Sequence, residues 1–590
     1  MAGVLGPRRV GLLVAMLVHS LPACARAEVE ATVAERGLRS LVWDGQELVA
    51  DGRPFVRSIV LETRTKDYQY SFEQADVSTP TVQAGEDGPT LAFGWGSAAF
   101  AYQAEGDRLR VAMTLTNTSR RTLANFQVQL MNLALPAPPE GKIRGRGRMV
   151  RSMDNLAIVE AVCGERKLLA CVDTIFPPLH FGLGKATDKQ KTCYPLLAGG
   201  GNPVPQPGAY TVHPHGLPRI APGESATFRF SLRFAAADTA REAMVGDLCK
   251  AFREYWEPIG RWDDNRFIGA VFLPSDRGAR TEGNPRGWKW FEGEKDFDIR
   301  TEDGQKRFEA KMLEFADRSV KVLREMDAQG VIIWNLEGGE NPHPITYIGD
   351  PRMLPILNPE MDKVADRFFQ KFLDAGLRTG VCIRPTQVYQ KKDGTWHHGT
   401  GSHGPERNPL KKDWSEIWPP GLPWWRFYPV APRMIDKIAY AKKRWGCTIF
   451  YVDTNGTFRP VGEKGEFKWI LLTGHIWRQI KEEHRDVLLI PELRREGWTF
   501  HAAQWAYTAP YDQLDYTKRV ATPDYVRALF PRARICNYVA NTKPDRLKEL
   551  HDACVQAVRA GDILMGRGWF MDAQDKVIQE IYEAAKGEPK

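Results

Sequence analysis

Hydrophobic and polar residues alternate along roughly the first two fifths of the chain. Leu109, Val111 and Met113, for example, are each separated by a single more polar or smaller residue. A period of two is typical of strands with one buried face and one solvated face. Glycine- and proline-rich stretches such as 199–207 separate the alternating segments. The pattern predicts an antiparallel β-sandwich over residues 28–236.

Residues 238–257 show a helical spacing instead. Met244, Leu248, Phe252 and Trp256 recur at every fourth position, as on one face of an α-helix. We therefore expect a linker helix within residues 237–261.

From Trp262 onward, short apolar runs of the buried-strand type alternate with helical segments. The predicted strands are Phe267–Leu273, Gly330–Trp334, Thr379–Ile383, Thr448–Val452, Val487–Ile490, Asp512–Leu514, Arg534–Val539 and Ile563–Met565. The predicted helices are 305–328, 360–375, 433–445, 467–484, 522–530, 544–559 and 574–586. Eight such units predict a (β/α)8 barrel, a TIM barrel, over residues 262–590. A doubly wound open sheet is the alternative.

The N-terminus has the pattern of a secretory signal peptide over residues 1–27. Arg8 and Arg9 precede a short apolar run, and Ala25-Arg26-Ala27 forms a small-residue cleavage site before Glu28. The sequence thus predicts an exported protein that is periplasmic, extracellular or on the cell surface. A lipid anchor on Cys24 is the alternative to cleavage. No later apolar run is long enough for a membrane span.

Composition narrows the classes of partner and cofactor. Of the 590 residues, 43% are apolar and 26% charged, as in a well-cored globular protein. The net charge is +8, and residues 1–27 contribute three arginines and no acid, so the chain is not expected to bind nucleic acid.

There is no C-x-x-C pair and no glycine-rich phosphate loop. We therefore expect neither a structural metal nor a nucleotide cofactor. Cys163, Cys171 and Cys193 are close enough in sequence to include one disulfide.

In a barrel of this kind the chemistry lies at the carboxyl ends of the strands. We read the polar and aromatic residues that end each apolar run as candidate substrate-binding residues. They are Trp334, Asn335 and Glu337 on strand two, Arg384 on strand three, Tyr451 and Asn455 on strand four, Tyr538 on strand seven, and Arg567 and Trp569 on strand eight.

The neighbouring strands four and five end in carboxylates, Asp453 and Glu492. Two carboxylates across a cleft are the requirement of glycoside hydrolysis, with a short gap for retention and a longer one for inversion. We expect both to be catalytic, with Glu337 as a rival acid and Glu496 as a weaker one. Arg384 and Arg567 each allow two interpretations. Each arginine binds hydroxyls or carboxylates of the substrate, or it holds Asp453 in its ionised form.

The segment Tyr451-Val452-Asp453 resembles the nucleophile segment of retaining α-glycosidase barrels, above all the endo-α-N-acetylgalactosaminidase-type glycoside hydrolases. That resemblance implies a β-supersandwich before the barrel, an aspartate nucleophile on strand four (Asp453) and a glutamate acid/base on strand five (Glu492). The segment Val487–Trp498 is similar to the acid/base strand. Pro491 and Leu493-Arg494-Arg495 depart from the family pattern, so the family's particular sugar is not carried over.

The long insertion 386–432 predicts an aromatic lid over the same face. It contains Trp424, Trp425 and three further tryptophans, whose broad faces suit sugar rings. Its histidines, His397, His398 and His403, lack the spacing of a helical metal site.

We therefore expect an exported retaining glycosidase that acts on an α-linked oligosaccharide or polysaccharide. One alternative is a non-catalytic glycan-binding or cell-surface protein on a degenerate barrel. Another is a metal-dependent lyase or isomerase that uses the loop histidines.

Overall fold

The computed structural model describes most of the chain after the predicted signal segment. The described residues are 28–64, 70–135, 150–151, 158–175, 179–200, 220–290, 298–337, 349–385, 388–390, 396–398, 430–453, 456–461, 466–472, 474–492, 502–514 and 519–587. The signal segment, most of the predicted lid, and Asn455, Trp424, Trp425 and Glu496 lie outside them.

Antiparallel strands fill the N-terminal part of the described chain. They are β1 (Val29–Ala34), β2 (Gly37–Trp43), β3 (Gln46–Glu47), β4 (Val49–Asp51), β5 (Phe55–Arg64), β6 (Tyr70–Gln74), β7 (Thr81–Gln83), β8 (Thr90–Phe93), β9 (Gly96–Glu105), β10 (Arg108–Asn117), β11 (Thr122–Ala134), β12 (Val150–Arg151), β13 (Ile158–Cys163), β14 (Arg166–Val172), β15 (Leu179–Leu183), β16 (Cys193–Gly200) and β17 (Ser225–Ala236).

Two large sheets face each other across one core. The first has the order β13-β14-β17-β10-β9-β8-β7 and the second β12-β15-β16-β11-β5-β6, with β4 beside β11 and a small β1-β2-β3 sheet. Rings from opposite sheets meet in the middle: the centroids of Phe126 and Phe228 are 5.1 Å apart, and those of Phe181 and Phe230 are 5.3 Å apart. The alternating residues Leu109, Val111 and Met113 are buried there, which confirms the predicted sandwich.

The expected disulfide among the three nearby cysteines is wrong for this structure, in which all eight cysteines from Cys163 onward are free. Cys163 packs inside the sandwich core. Cys171 packs on the other face of the same sheet, against Met244 and Leu248. Because side chains on opposite faces of a sheet point apart, the Cys163 and Cys171 sulfurs cannot meet.

Two short helices, α1 (Arg241–Met244) and α2 (Gly246–Tyr255), follow the sandwich. The predicted helical stripe is real, but Val245 interrupts it. Leu248 packs on the sandwich sheet, whereas the Phe252 ring lies 6.1 Å from the Phe530 ring of the C-terminal part. The linker therefore packs on the outer face of a sandwich sheet and contributes Phe252 to the core of the C-terminal part.

Eight parallel strands form the C-terminal part. They are β18 (Ile268–Phe272), β19 (Gly330–Trp334), β20 (Thr379–Ile383), β23 (Cys447–Val452), β26 (Leu488–Pro491), β27 (Tyr511–Gln513), β28 (Cys536–Tyr538) and β29 (Ile563–Arg567). Their order is β26-β23-β20-β19-β18-β29-β28-β27. The Ala509 amide donates to the Leu489 carbonyl (2.9 Å), and Glu492 forms a parallel bridge with Tyr511. These contacts join the two outer strands, so the sheet closes and the predicted barrel, rather than the open sheet, is confirmed.

Helices cover the outside of the barrel. They are α3 (Glu302–Glu325), α4 (Leu354–Leu357), α5 (Pro359–Asp374), α6 (Val430–Trp445), α7 (Gly474–Glu483), α8 (Asp524–Leu529), α9 (Pro544–Glu549), α10 (His551–Arg559) and α11 (Ala573–Lys586), with 3-10 turns at Arg277–Ala279, Pro351–Met353 and Ala502–Ala506. No helix in the described ranges is long and apolar enough to cross a membrane.

Two hairpins interrupt the barrel pattern, β21–β22 (Val388–Gln390 and Trp396–His398) and β24–β25 (Gly456–Val461 and Glu466–Leu471). The second corrects the predicted helix 467–484, whose first residues form β25. In the sequence, Glu466 to Trp469 alternates polar and apolar residues, which suits a strand. The helix itself begins at Gly474.

Candidate active site

The side chains at the carboxyl ends of the barrel strands form an inward-facing ring. Ile332, Cys382, Tyr451, Ile490 and Tyr511 belong to the cluster that fills the barrel interior. Because strand side chains alternate between two faces, residues two positions further on also face inward. This places one strand-end residue from each strand around the mouth: Phe272, Trp334, Arg384, Asp453, Glu492, Gln513, Tyr538 and Arg567.

Asp453 is ion-paired with Arg384. The Nε atom of Arg384 donates to Oδ2 of Asp453 at 2.6 Å, and a second guanidinium nitrogen donates to the same oxygen. The Arg384 side chain is 1% exposed and that of Asp453 is 15% exposed. Hydrogen bonds between a guanidinium and a carboxylate are among the stronger ones in proteins, so this contact fixes the position of the Asp453 carboxylate. Of the two readings for Arg384, the structure shows the one in which it holds Asp453.

Asp453 and Glu492 occupy equivalent positions on neighbouring strands. Val452 is in register with Pro491, the Asp453 amide donates to the Ile383 carbonyl (2.9 Å), and the Glu492 amide donates to the Val452 carbonyl (3.0 Å). Neighbouring strands lie about 4.8 Å apart. The backbones of Asp453 and Glu492 are therefore adjacent, and strand alternation directs both side chains to the inner face of the barrel.

The Tyr451 phenol is buried in the barrel interior, two residues before Asp453 on the same strand. Burial raises its pKa well above the ordinary value, and the negative charges of Glu492 and Asp453 raise it further. Tyr451 is therefore a neutral phenol next to the strand ends that carry Asp453 and Glu492.

Six aromatic rings, five on barrel strands and Trp569 just after β29, form a continuous floor in the mouth. Their centroids are close from one ring to the next: Trp569–Phe272 5.7 Å, Phe272–Trp334 5.1 Å, Trp334–Tyr451 4.8 Å, Tyr451–Tyr511 5.0 Å and Tyr511–Tyr538 5.9 Å. The floor is broad and apolar, with hydroxyl groups on one side. Such a surface suits the C–H face of a sugar ring.

Glu337, the rival acid in the sequence, is fully buried. Its Oε1 accepts from the Asp350 amide (2.8 Å), and its Oε2 has no hydrogen-bond partner among the described residues. Burial raises the pKa of Glu337 to about 7, with the nearby Asp350 charge adding to the rise. This carboxyl belongs to a buried cluster with Asp350 and Lys437.

Arg567, on the far side of the mouth from Asp453, does not hold that residue. It donates to Asp572 and to Oε1 of Gln574 at 3.2 Å, and its guanidinium lies 5.2 Å from the centre of the Phe570 ring. The reading in which Arg567 keeps Asp453 ionised is therefore wrong. Its reading as a clamp for substrate stays a prediction.

The structure describes Trp334, Asn335, Tyr538 and Trp569 among the remaining candidates for substrate binding. Asn335 is described and has a left-handed backbone, with φ of 61°, which turns the chain away from β19. The roles of Trp334, Asn335, Tyr538 and Trp569 in binding stay predictions. No group of His, Cys, Asp or Glu able to hold a metal occurs in the part of the chain that the structure describes; the lid histidines have no described side chains.

Sequence reasoning missed Phe272, Tyr511 and Gln513 in the mouth, and Lys437 and Asp350 behind it. The signal for Tyr511 was present but was shifted: the sixth strand is Tyr511–Gln513, one residue earlier than predicted. Lys437 lies on the apolar stripe of α6, three residues after the buried Met434, and a lysine there is the sign of a buried charge.

No protein-family model and no curated protein matches this sequence. Among solved structures, the chain is similar to a GH36 α-galactosidase from Geobacillus stearothermophilus, at 10% identity and a TM-score of 0.46, over 95% of this chain and 85% of that one. It is also similar to an α-N-acetylgalactosaminidase from Bifidobacterium bifidum, at 11% identity and a TM-score of 0.45, over 95% of this chain and 92% of that one. These neighbours are glycoside hydrolases, and the likeness assigns no substrate to this chain.

Proposed function

We propose that this protein is an exported glycoside hydrolase that cleaves an α-linked oligosaccharide or polysaccharide with retention of configuration. Asp453 is the nucleophile and Glu492 the general acid/base. The observation that carries the proposal is the pair of adjacent inward carboxylates, one of which is clamped by a buried arginine.

Asp453 has the properties that a nucleophile needs. It must be held in a fixed position, and the buried Arg384 guanidinium holds it with two hydrogen bonds. Both hydrogen bonds from the Arg384 side chain to Asp453 go to Oδ2, so Oδ1 is the oxygen for attack. In the first step, Oδ1 forms a bond to the anomeric carbon as the glycosidic C–O bond breaks.

Glu492 completes the bond changes. Its proton goes to the departing glycosidic oxygen, which leaves as an alcohol. In the second step the Glu492 carboxylate takes a proton from water, whose oxygen displaces Asp453 from the anomeric carbon. Side chains on the same face of neighbouring strands are placed for the shorter carboxyl separation, about 5–5.5 Å, that retention needs, rather than the roughly 6.5–9.5 Å of inversion.

The class of substrate follows from the mouth and from the N-terminal sequence. The aromatic floor supports a sugar that stacks through its C–H face, and the resemblance of the strand-four segment supports an α-linkage. Residues 1–27 support export, which would bring the enzyme to glycans outside the cytoplasm.

The test is a panel of aryl α-glycosides and α-linked glycans with three purified variants. We expect Glu492→Gln to lower kcat by about 10²- to 10⁴-fold and Asp453→Asn to lower it at least as much. Asp512→Asn is the matched control. Asp512 is also an aspartate of a barrel strand, β27, and pairs with an arginine, Arg519 (3.2 Å), but it lies between the inward positions Tyr511 and Gln513. Wild-type rates in Asp453→Asn and Glu492→Gln would refute the assignment. Sugar binding without any turnover by wild type would instead favour a glycan-binding protein.

A further inference from the structure

We propose that Lys437 is a positioning residue of the active site, holding the backbone of Arg384 so that its guanidinium stays directed at Asp453. The proposal rests on the function proposed above, and it adds a residue that lies outside the barrel mouth, on helix α6.

Lys437 is bonded directly to Arg384. Its Nζ donates to the Arg384 carbonyl at 2.6 Å and to the Gly349 carbonyl at 3.2 Å, and it lies 3.7 Å from Oδ2 of Asp350. The Lys437 side chain is 1% exposed. Burying an ammonium group is costly unless it is paired and hydrogen-bonded, so these contacts fix where its charge sits.

Gly349 binds the other end of the same residue. Its carbonyl accepts from the Arg384 amide at 3.0 Å. Gly349 has φ of 66°, and a Cβ atom there would lie 2.5 Å from the Arg384 nitrogen and 2.7 Å from Arg384 Cγ. Only glycine allows this approach. The amide and the carbonyl of Arg384 are thus both held by the unit formed by Gly349 and Lys437.

Asp350 and Glu337 anchor that unit in turn. The Asp350 carboxylate accepts from Nε of Arg352 at 2.9 Å and from its terminal nitrogen at 2.7 Å, and the Asp350 amide donates to Glu337. A line of contacts therefore runs from Glu337 through Asp350 and Lys437 to Arg384 and Asp453. Because Arg384 reaches Asp453 through its side chain, movement of its backbone would move the clamp.

Lys481 provides a matched control on the next helix. It is also buried, and its Nζ donates to the Arg485 carbonyl (2.9 Å) and the Val487 carbonyl (2.8 Å). These carbonyls precede β26, at the opposite end of the barrel from the mouth. Lys437 and Lys481 therefore both bind backbone carbonyls, at opposite ends of the barrel. Of the two, only Lys437 contacts a residue that binds Asp453.

The experiment compares Lys437→Met with Lys481→Met on the best substrate of the panel. We expect both variants to lose thermal stability. Lys437→Met should lower kcat by tenfold or more with a KM within about threefold of wild type, and Lys481→Met should keep kcat within twofold. Equal kcat values in the two variants would overturn the proposal. If Lys437→Met does not fold, Lys437→Gln replaces it, because glutamine keeps a hydrogen-bond donor without the charge. Lys437→Gln is compared with Lys481→Met in the same way, and a loss of kcat smaller than threefold would overturn the proposal.

A crystal structure of the same Lys437 variant separates this proposal from the proposed function. We expect the Arg384 guanidinium to leave hydrogen-bond distance of Asp453 Oδ2 in the variant and to remain there in Lys481→Met. An undisturbed ion pair would overturn the positioning role even in an active enzyme. A wild-type protein without glycosidase activity would refute the proposed function, while the displacement of Arg384 would still be measured.

Discussion

Arg384 directs two guanidinium nitrogens at a single oxygen, Oδ2, of Asp453. The two residues come from neighbouring strands, and the arginine is almost completely buried. The arrangement fixes the position of the carboxylate while only one of its oxygens is engaged by the arginine. A nucleophile needs both properties.

Replacing Arg384 should impair catalysis and stability together. Arg384→Met leaves the Asp453 carboxylate without its buried partner, which for a pair of this kind costs about 3–5 kcal/mol in the free energy of unfolding. We expect kcat/KM to fall by 10²-fold or more, and Arg384→Lys to recover only part of the loss because it cannot form the forked contact. Chemical denaturation and steady-state kinetics measure the two effects. An active Arg384→Met enzyme would contradict the role of the clamp.

Trp334 should act on substrate binding. Trp334→Phe keeps a ring beside Phe272 and Tyr451 but reduces the face available to a sugar, so we expect KM to rise by about threefold to tenfold, or roughly 1 kcal/mol. Trp288→Phe is the control. Trp288 is fully buried in the outer core, with Nε1 bonded to Glu360 at 2.9 Å, so its change should lower stability and leave KM unaltered. A KM unaffected by Trp334→Phe would remove this residue from the binding surface.

Glu337 should make stability depend on pH. Burial raises its pKa from 4.5 to about 7, so its contribution is fully present below pH 4.5 and is lost as the pH rises through 7. Glu337→Gln should therefore be less destabilising at pH 8 than at pH 5. The difference should be a few kcal/mol at most, since a tenfold change in protonation is worth about 1.4 kcal/mol.

The measurement for Glu337 is urea denaturation of wild type and Glu337→Gln at both pH values. Asp575, whose pKa burial also raises to about 7, is common to the two proteins and cancels in the difference. Equal destabilisation at pH 5 and pH 8 would show that Glu337 is ionised throughout this range.

The sequence predicted the barrel and the two carboxylates because both depend on local patterns. Apolar runs define strands, and the residue that ends each run faces the site, which identified Asp453, Glu492 and Arg384. A strand as short as Tyr511–Gln513 has too few residues to show a clear alternation. The predicted position of the sixth strand was therefore displaced by one residue.

The partners of Arg384 could not be read from the sequence. Gly349 and Asp350 follow a segment without hydrophobic periodicity, and they meet Lys437 across 88 residues of chain. The sequence also could not decide whether Arg384 binds the substrate or Asp453, because that depends on the distance between two strands. Arg567 illustrates this, since it occupies the same kind of strand end but pairs with Asp572 five residues away.

The central claim, that Asp453 attacks and Glu492 transfers protons, is tested most directly by azide rescue with an aryl α-glycoside. In Glu492→Ala, azide should attack the glycosyl-enzyme and give an α-glycosyl azide. In Asp453→Ala, azide should attack the substrate itself and give the β-glycosyl azide. NMR of the two products distinguishes the anomers. The account predicts opposite configurations from the two variants, and the same configuration from both, or rescue of neither in an active enzyme, would contradict it.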